Sequence, residues 1–88
     1  MTEEQITAVA NVLVLWNPLG ESANNVPDLD DYRVEATDII FELNVRGKSV
    51  KPERIVMEVL NQAFDLSLTP QACIVPAREI TAILGRKG

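Results

Sequence analysis

Thr69-Pro-Gln-Ala-Cys-Ile-Val-Pro-Ala-Arg-Glu-Ile-Thr-Ala-Ile-Leu84 is the stretch that decides whether this chain is all-helical or mixed. Within it, Ala72-Cys73-Ile74-Val75 is an apolar run that reads equally well as a short strand. A single strand has no partner elsewhere in the sequence, so its backbone groups would go unpaired, and the helical reading is preferred. Thr69 suits a helix cap and Pro70 a first helical residue. Pro76 falls six residues later, past the point where proline sacrifices no hydrogen bond. The pattern predicts a short helical turn over 70–75 and a final helix over 76–84, with a break or kink near Pro76. One kinked helix over 70–84 is the competing reading. Gly85 supplies the usual glycine stop, and Arg86-Lys87-Gly88 should fray.

Outward from there, the same periodicity recurs. Ile55, Val56, Val59, Leu60, Ala63 and Phe64 mark the buried side of a helix over 52–64, opened by Pro52 and broken by Asp65-Leu-Ser-Leu-Thr69-Pro70. Asn44 to Lys51, containing Gly47, reads as a connection. Before it, Tyr32, Ala36, Ile39, Ile40 and Leu43 form the stripe of a helix over about 29–43, with Arg33, Glu35, Asp38 and Glu42 turned largely towards water. Asp28, Asp30 and Asp31 place carboxylates where a first helical turn leaves unpaired N–H groups. The first helix spans about 2–16: Thr2 and Gln5 fit a capping box, and Ile6, Val9, Leu13 and Trp16 share a face. Asn17-Pro18-Leu19-Gly20 ends it. The expected architecture is all-α, a compact bundle of about four helices forming a single domain over 1–88.

Composition narrows function. The 88 residues are 47% apolar and 24% charged, with one Cys and no His, and carry a net charge of −5. A chain of this size buries little more than ~60% of its unfolded surface, so one modest core uses most of its apolar side chains and leaves little room for a catalytic cleft. The net charge has the wrong sign for general binding to nucleic acid or anionic lipid. Residues 1–45 hold nine acids against Arg33 alone, a net of −8, and the remainder carries +3. That polarity could favour association or be neutralised within one folded chain. Cys73 has no partner for a disulfide, which fits a reducing cytoplasm. Met1 to Gln5 lack the basic flank and apolar stretch of a secretory signal, and no apolar run approaches the ~20 residues of a membrane span, so export and membrane insertion are disfavoured.

The residues that carry chemistry are sparse. Without His there is no Ser-His or Cys-His dyad and no imidazole base, and one Cys supplies no zinc cluster. The usual phosphate-binding glycine loops are missing. No catalytic residue, cofactor or metal is expected. Asp31, Glu35 and Asp38 have helical spacing and could share a hard cation with Asp28 and Asp30 nearby, but capping and solvation explain them without one. Arg46, Lys48, Lys51 and Arg54 form one basic cluster, which reads as a solvated or ion-paired loop more readily than as a phosphate site. Cys73 lies between apolar neighbours and reads as a buried, inert thiol.

The segment 12–16 is apolar on every side. Either more than one neighbour covers that helix end or part of it meets another molecule. Val12, Trp16, Leu19 and Tyr32 are therefore candidate interface residues, with core packing the default for Trp16.

Trp16-Asn17-Pro18-Leu19-Gly20, a polar loop, and Asp31-Tyr32 opening a helix with Ala36 and Ile39-Ile40 resemble the small bacterial proteins of domain-of-unknown-function family 1871. The resemblance covers residues 9–43. It implies a small cytoplasmic helical domain with no established activity and carries over no catalytic residue. Two readings of function remain. The leading one is a non-enzymatic protein-interaction or assembly module, partnered by another protein or by itself as a homodimer. The alternative is a regulatory binder of a phosphorylated ligand or nucleic acid through Arg46, Lys48, Lys51 and Arg54.

Overall fold

The computed structural model describes residues 2–20 and 30–85, and among them the chain forms four α-helices and two short 3-10 turns. Helix α1 (Glu3–Trp16) starts at the expected capping box. The Gln5 backbone N–H donates to Thr2 Oγ1 at 3.1 Å, and the Thr2 N–H donates to Gln5 Oε1 at 3.2 Å. It stops where Asn17 turns left-handed (φ 54°), its N–H donating to the Leu13 carbonyl at 2.8 Å. Asn tolerates that conformation, and Pro18 cannot extend the helix beyond it. Gly20 takes the next positive φ, at 58°.

Helix α2 (Arg33–Arg46) differs from the sequence reading at both ends. Its start is not capped by acids. Asp31 and Tyr32 are both left-handed (φ 52° and 64°), so the 3-10 turn Asp30–Tyr32 runs into Arg33 through Tyr32, whose side chain makes no cap bond. A left-handed aromatic is strained by about 1–2 kcal/mol, and the burial of Tyr32 holds it there. Asp28 lies outside the described residues. At the other end the helix continues three residues beyond Leu43, and Arg46 closes it with a salt bridge to Glu42 one turn earlier. Gly47 then caps it.

Helix α3 (Pro52–Phe64) keeps the expected bounds, with Pro52 in its first turn and Asp65 left-handed at its end (φ 53°). The following loop is held by one side chain. Asn61 Nδ2 donates to the Leu68 carbonyl at 3.1 Å, and the Leu68 N–H donates to Asn61 Oδ1 at 2.8 Å. Asn61→Ala is expected to lose about 1 kcal/mol, because both bonds are part-exposed and water replaces them. A urea midpoint unchanged from wild type would show that the loop holds without them.

Thr69 caps the turn Gln71–Cys73 by accepting the Ala72 N–H at 3.2 Å. Helix α4 (Ile74–Ile83) then begins anew after Cys73 (φ −97°, ψ −1°). The expected break near Pro76 therefore lies between Cys73 and Ile74, so the final helix starts at 74 and not at 76. Restarting at Ile74 puts Pro76 third in its helix, inside the first turn, where its missing N–H has no intrahelical acceptor to lose. Gly85 (φ 71°) ends the segment.

Consecutive helices are neighbours and α4 closes the ring on α1. The core between them holds Val9 and Leu13, then Ala36, Ile39, Ile40 and Leu43, then Ile55, Val56 and Leu60, then Cys73, Ala77 and Ile80. Ile6, Trp16, Val59 and Phe64 pack against it half-buried. Ala63, expected inside, is exposed. The Cα radius of gyration is 11.8 Å, close to the ~12 Å expected for one compact domain. No described helix is long and apolar enough to cross a membrane.

Candidate functional site

The uncharged end of α1 faces the start of α4. Val12, Leu15, Trp16, Ala72, Val75, Pro76 and exposed Glu79 line a groove of about 300 Å³ there. The local reason is the lack of charge: residues 5–20 and 66–77 contain no Asp, Glu, Lys or Arg in a chain that is 24% charged. Helix packing brings these two segments together. Leu15, on the lip of the groove, is 86% exposed, and Val75 across from it is also exposed.

The four candidate interface residues separate. Trp16 is half-buried and lines the groove. Val12 and Leu19 are each only 9% exposed, and Tyr32 only 2%, so all three belong to the core. Tyr32 stands edge-on to Phe64, with ring centroids 6.0 Å apart at 83°. Its hydroxyl reaches Asn17 Oδ1 at 3.4 Å. Burial raises the phenol's pKa, partly offset by a hydrogen bond at the Leu19 backbone. The residue that periodicity missed is Leu15. Its signal was present, since an apolar residue on the far side of α1 from Val9 and Leu13 has no core to enter.

The acidic candidates do not assemble. Asp31 is outside the helix that carries Glu35 and Asp38, so the one-face spacing is lost. Among the described residues no group of three metal-ligating side chains forms. Glu35 itself, expected in water, is 9% exposed, and its Oε1 has no hydrogen-bond partner. Burial raises its carboxyl pKa, and the Asp38 charge adds to that.

The basic cluster is divided as well. Arg46 bonds Glu42 at 2.5 Å and Glu58 at 3.3 Å, and Arg54 approaches Glu58 at 3.9 Å. Lys51 and Arg54 line an open groove of about 600 Å³ with Ser49 and Pro70, but Glu53 and Glu58 share it. Lys48 is exposed on the loop between α2 and α3. Carboxylates inside the groove oppose a bound phosphate, which leaves the ion-paired reading of this cluster the stronger.

Cys73 is fully buried, and burial alone pushes its thiol pKa up to about 11. Thiol reagents at neutral pH are expected to label the native protein only as fast as it opens, and the urea-unfolded chain rapidly. Equal labelling rates in the two states would contradict this.

Comparison with protein-family models, with curated proteins and with solved structures gave no match to this chain.

Proposed function

We propose that this chain is a non-enzymatic protein-interaction or assembly module that works in the cytoplasm and binds through the α1–α4 face. The carrying observation is Leu15, 86% exposed on the lip of a groove whose lining residues are apolar apart from Glu79. Interface cores are distinguished from ordinary surface chiefly by depletion of charge and by aromatic anchors, and Trp16 supplies such an anchor here. The likeness of residues 9–43 to domain-of-unknown-function family 1871 is part of the same proposal.

A photo-crosslinking residue placed at position 15 in the native host tests it, with one at position 45 on α2 as control. Protein adducts at 15 and few at 45 are expected. Absence of adducts at 15, or equal yields at both positions, would defeat the reading.

A further inference from the structure

We infer that the first turn of α2 is a pH-sensitive catch: it is closed on a protonated Glu35, and ionisation of Glu35 promotes its local opening while the rest of the bundle stays folded. This device is independent of the α1–α4 face. It begins with a buried acid that nothing holds. Glu35 is 9% exposed, and its Oε1 has no hydrogen-bond partner. A carboxyl so placed is tolerated neutral and costly charged, because its surroundings do not replace the water that an anion needs.

Among the described residues no cation offsets that cost. Helix α2 packs against α1, α3 and the turn Asp30–Tyr32. Helix α1 brings Glu3 and Glu4, and the turn brings Asp30 and Asp31. Helix α3 brings Glu53, Arg54 and Glu58, with Lys51 before it and Asp65 at its end. On α2 itself stand Arg33, Asp38, Glu42 and Arg46. The arginines are engaged elsewhere: Arg33 with Glu3 and Thr7, Arg46 with Glu42 and Glu58, and Arg54 towards Glu58. Lys48 and Lys51 belong to the loop beyond the opposite end of α2. Of the acids, Asp38 acts on Glu35 and opposes its ionisation. The Tyr32 phenol, whose pKa burial raises, stays neutral throughout.

The same turn makes the opening local. Asp31 and Tyr32 both hold left-handed backbone, and Tyr32 gives the helix that starts at Arg33 no side-chain cap. Opening lets both residues return to ordinary backbone and lets the Glu35 carboxylate reach water. The remainder of α2 is anchored separately, by Ile39, Ile40 and Leu43 in the core and by the Arg46 salt bridges at its far end. The first turn is therefore the part of the helix that yields first. Burial holds the closed-state carboxyl's pKa above 4.5, so acid keeps Glu35 neutral whether the turn is closed or open. Openings become more frequent as pH rises from there and level off above the raised value.

Amide hydrogen exchange of the full chain, followed by NMR at pH 4.5 and pH 7 and corrected for intrinsic rates, reads the catch at Thr37 and Asp38. Their N–H groups close the first turn of α2. Low urea separates the routes, because a small opening exposes little surface and responds little to denaturant. In wild type, protection at both amides is expected to fall at least about threefold between the two pH values and to be insensitive to low urea. Leu43 and Leu60 are expected to exchange with the urea dependence of global unfolding. Glu35→Gln and, independently, Glu35→Met remove the ionisable group and are expected to abolish the pH dependence at Thr37 and Asp38. Protection that is flat with pH in wild type, that falls equally in both variants, or that depends on urea at Thr37 as it does at Leu60 would overturn the catch.

Discussion

Tyr32→Ala is expected to remove about 3–5 kcal/mol of stability, the usual cost of deleting a large buried ring. A chain of 88 residues has on the order of 4–13 kcal/mol in total, so this variant should sit at or near the edge of folding. The size of the effect follows from position. Tyr32 lies at the entry to α2, its ring edge-on to Phe64 at the end of α3 and its hydroxyl beside Asn17 at the end of α1. Removing it separates three helix ends at once, and alanine in the same left-handed conformation relieves no strain. Tyr32→Phe keeps the ring and loses a long 3.4 Å contact, so a change below about 1 kcal/mol is expected. Urea denaturation of both variants decides. A wild-type midpoint for Tyr32→Ala, accompanied by altered assembly, would return Tyr32 to the surface role its residue type suggests.

Replacing Glu35 with methionine should move stability the other way, up by about 1–3 kcal/mol at neutral pH. The variant removes a buried carboxyl oxygen without a partner and fills the space with an apolar chain of similar length. The pH dependence identifies the cause. Burial raises the native carboxyl's pKa above the ordinary value of 4.5. Between that value and the raised one, the folded chain holds more protons than the unfolded chain, so stability falls as pH rises through the window. Below 4.5 the group is protonated in both states and its penalty is absent. The advantage of Glu35→Met over wild type should therefore be smaller in acid and grow as pH rises from 4.5 through the window. Asp38→Asn, on an exposed neighbour whose charge adds to the shift, should narrow the window and leave stability nearly unchanged otherwise. A Glu35→Met advantage that is absent at pH 7, or identical at pH 4 and pH 7, would show that the carboxyl finds a partner or water in solution.

These two residues mark where reading along the chain stops working. Tyr32 and Glu35 look like neighbours on a helix, one on the stripe and one on its flank. Periodicity places a side chain on a face, but it does not say how far the neighbouring elements close over the flank. Glu35 is covered because the domain packs around that edge of α2. Tyr32 is left-handed because its ring is required inside, a demand that no local propensity expresses.

The final helix teaches a related lesson. Counted from Pro70, Pro76 looks like an interior breaker. The 3-10 turn at Gln71–Cys73 restarts the count, and the same proline becomes a first-turn residue. Both prolines are then accommodated without loss of a helical bond.

Four helices, the bounds of α3, both ends of α1 and the apolar stripes of α1 and α2 were all legible from residue order alone, because spacing, caps and breakers act within a few residues of where they stand. Which apolar residues lie under a neighbour and which stay bare was decided by the tertiary structure. Val12 and Leu19 are covered while Leu15 is not, since burial depends on the direction from which a distant segment arrives, and α4 leaves Leu15 standing clear.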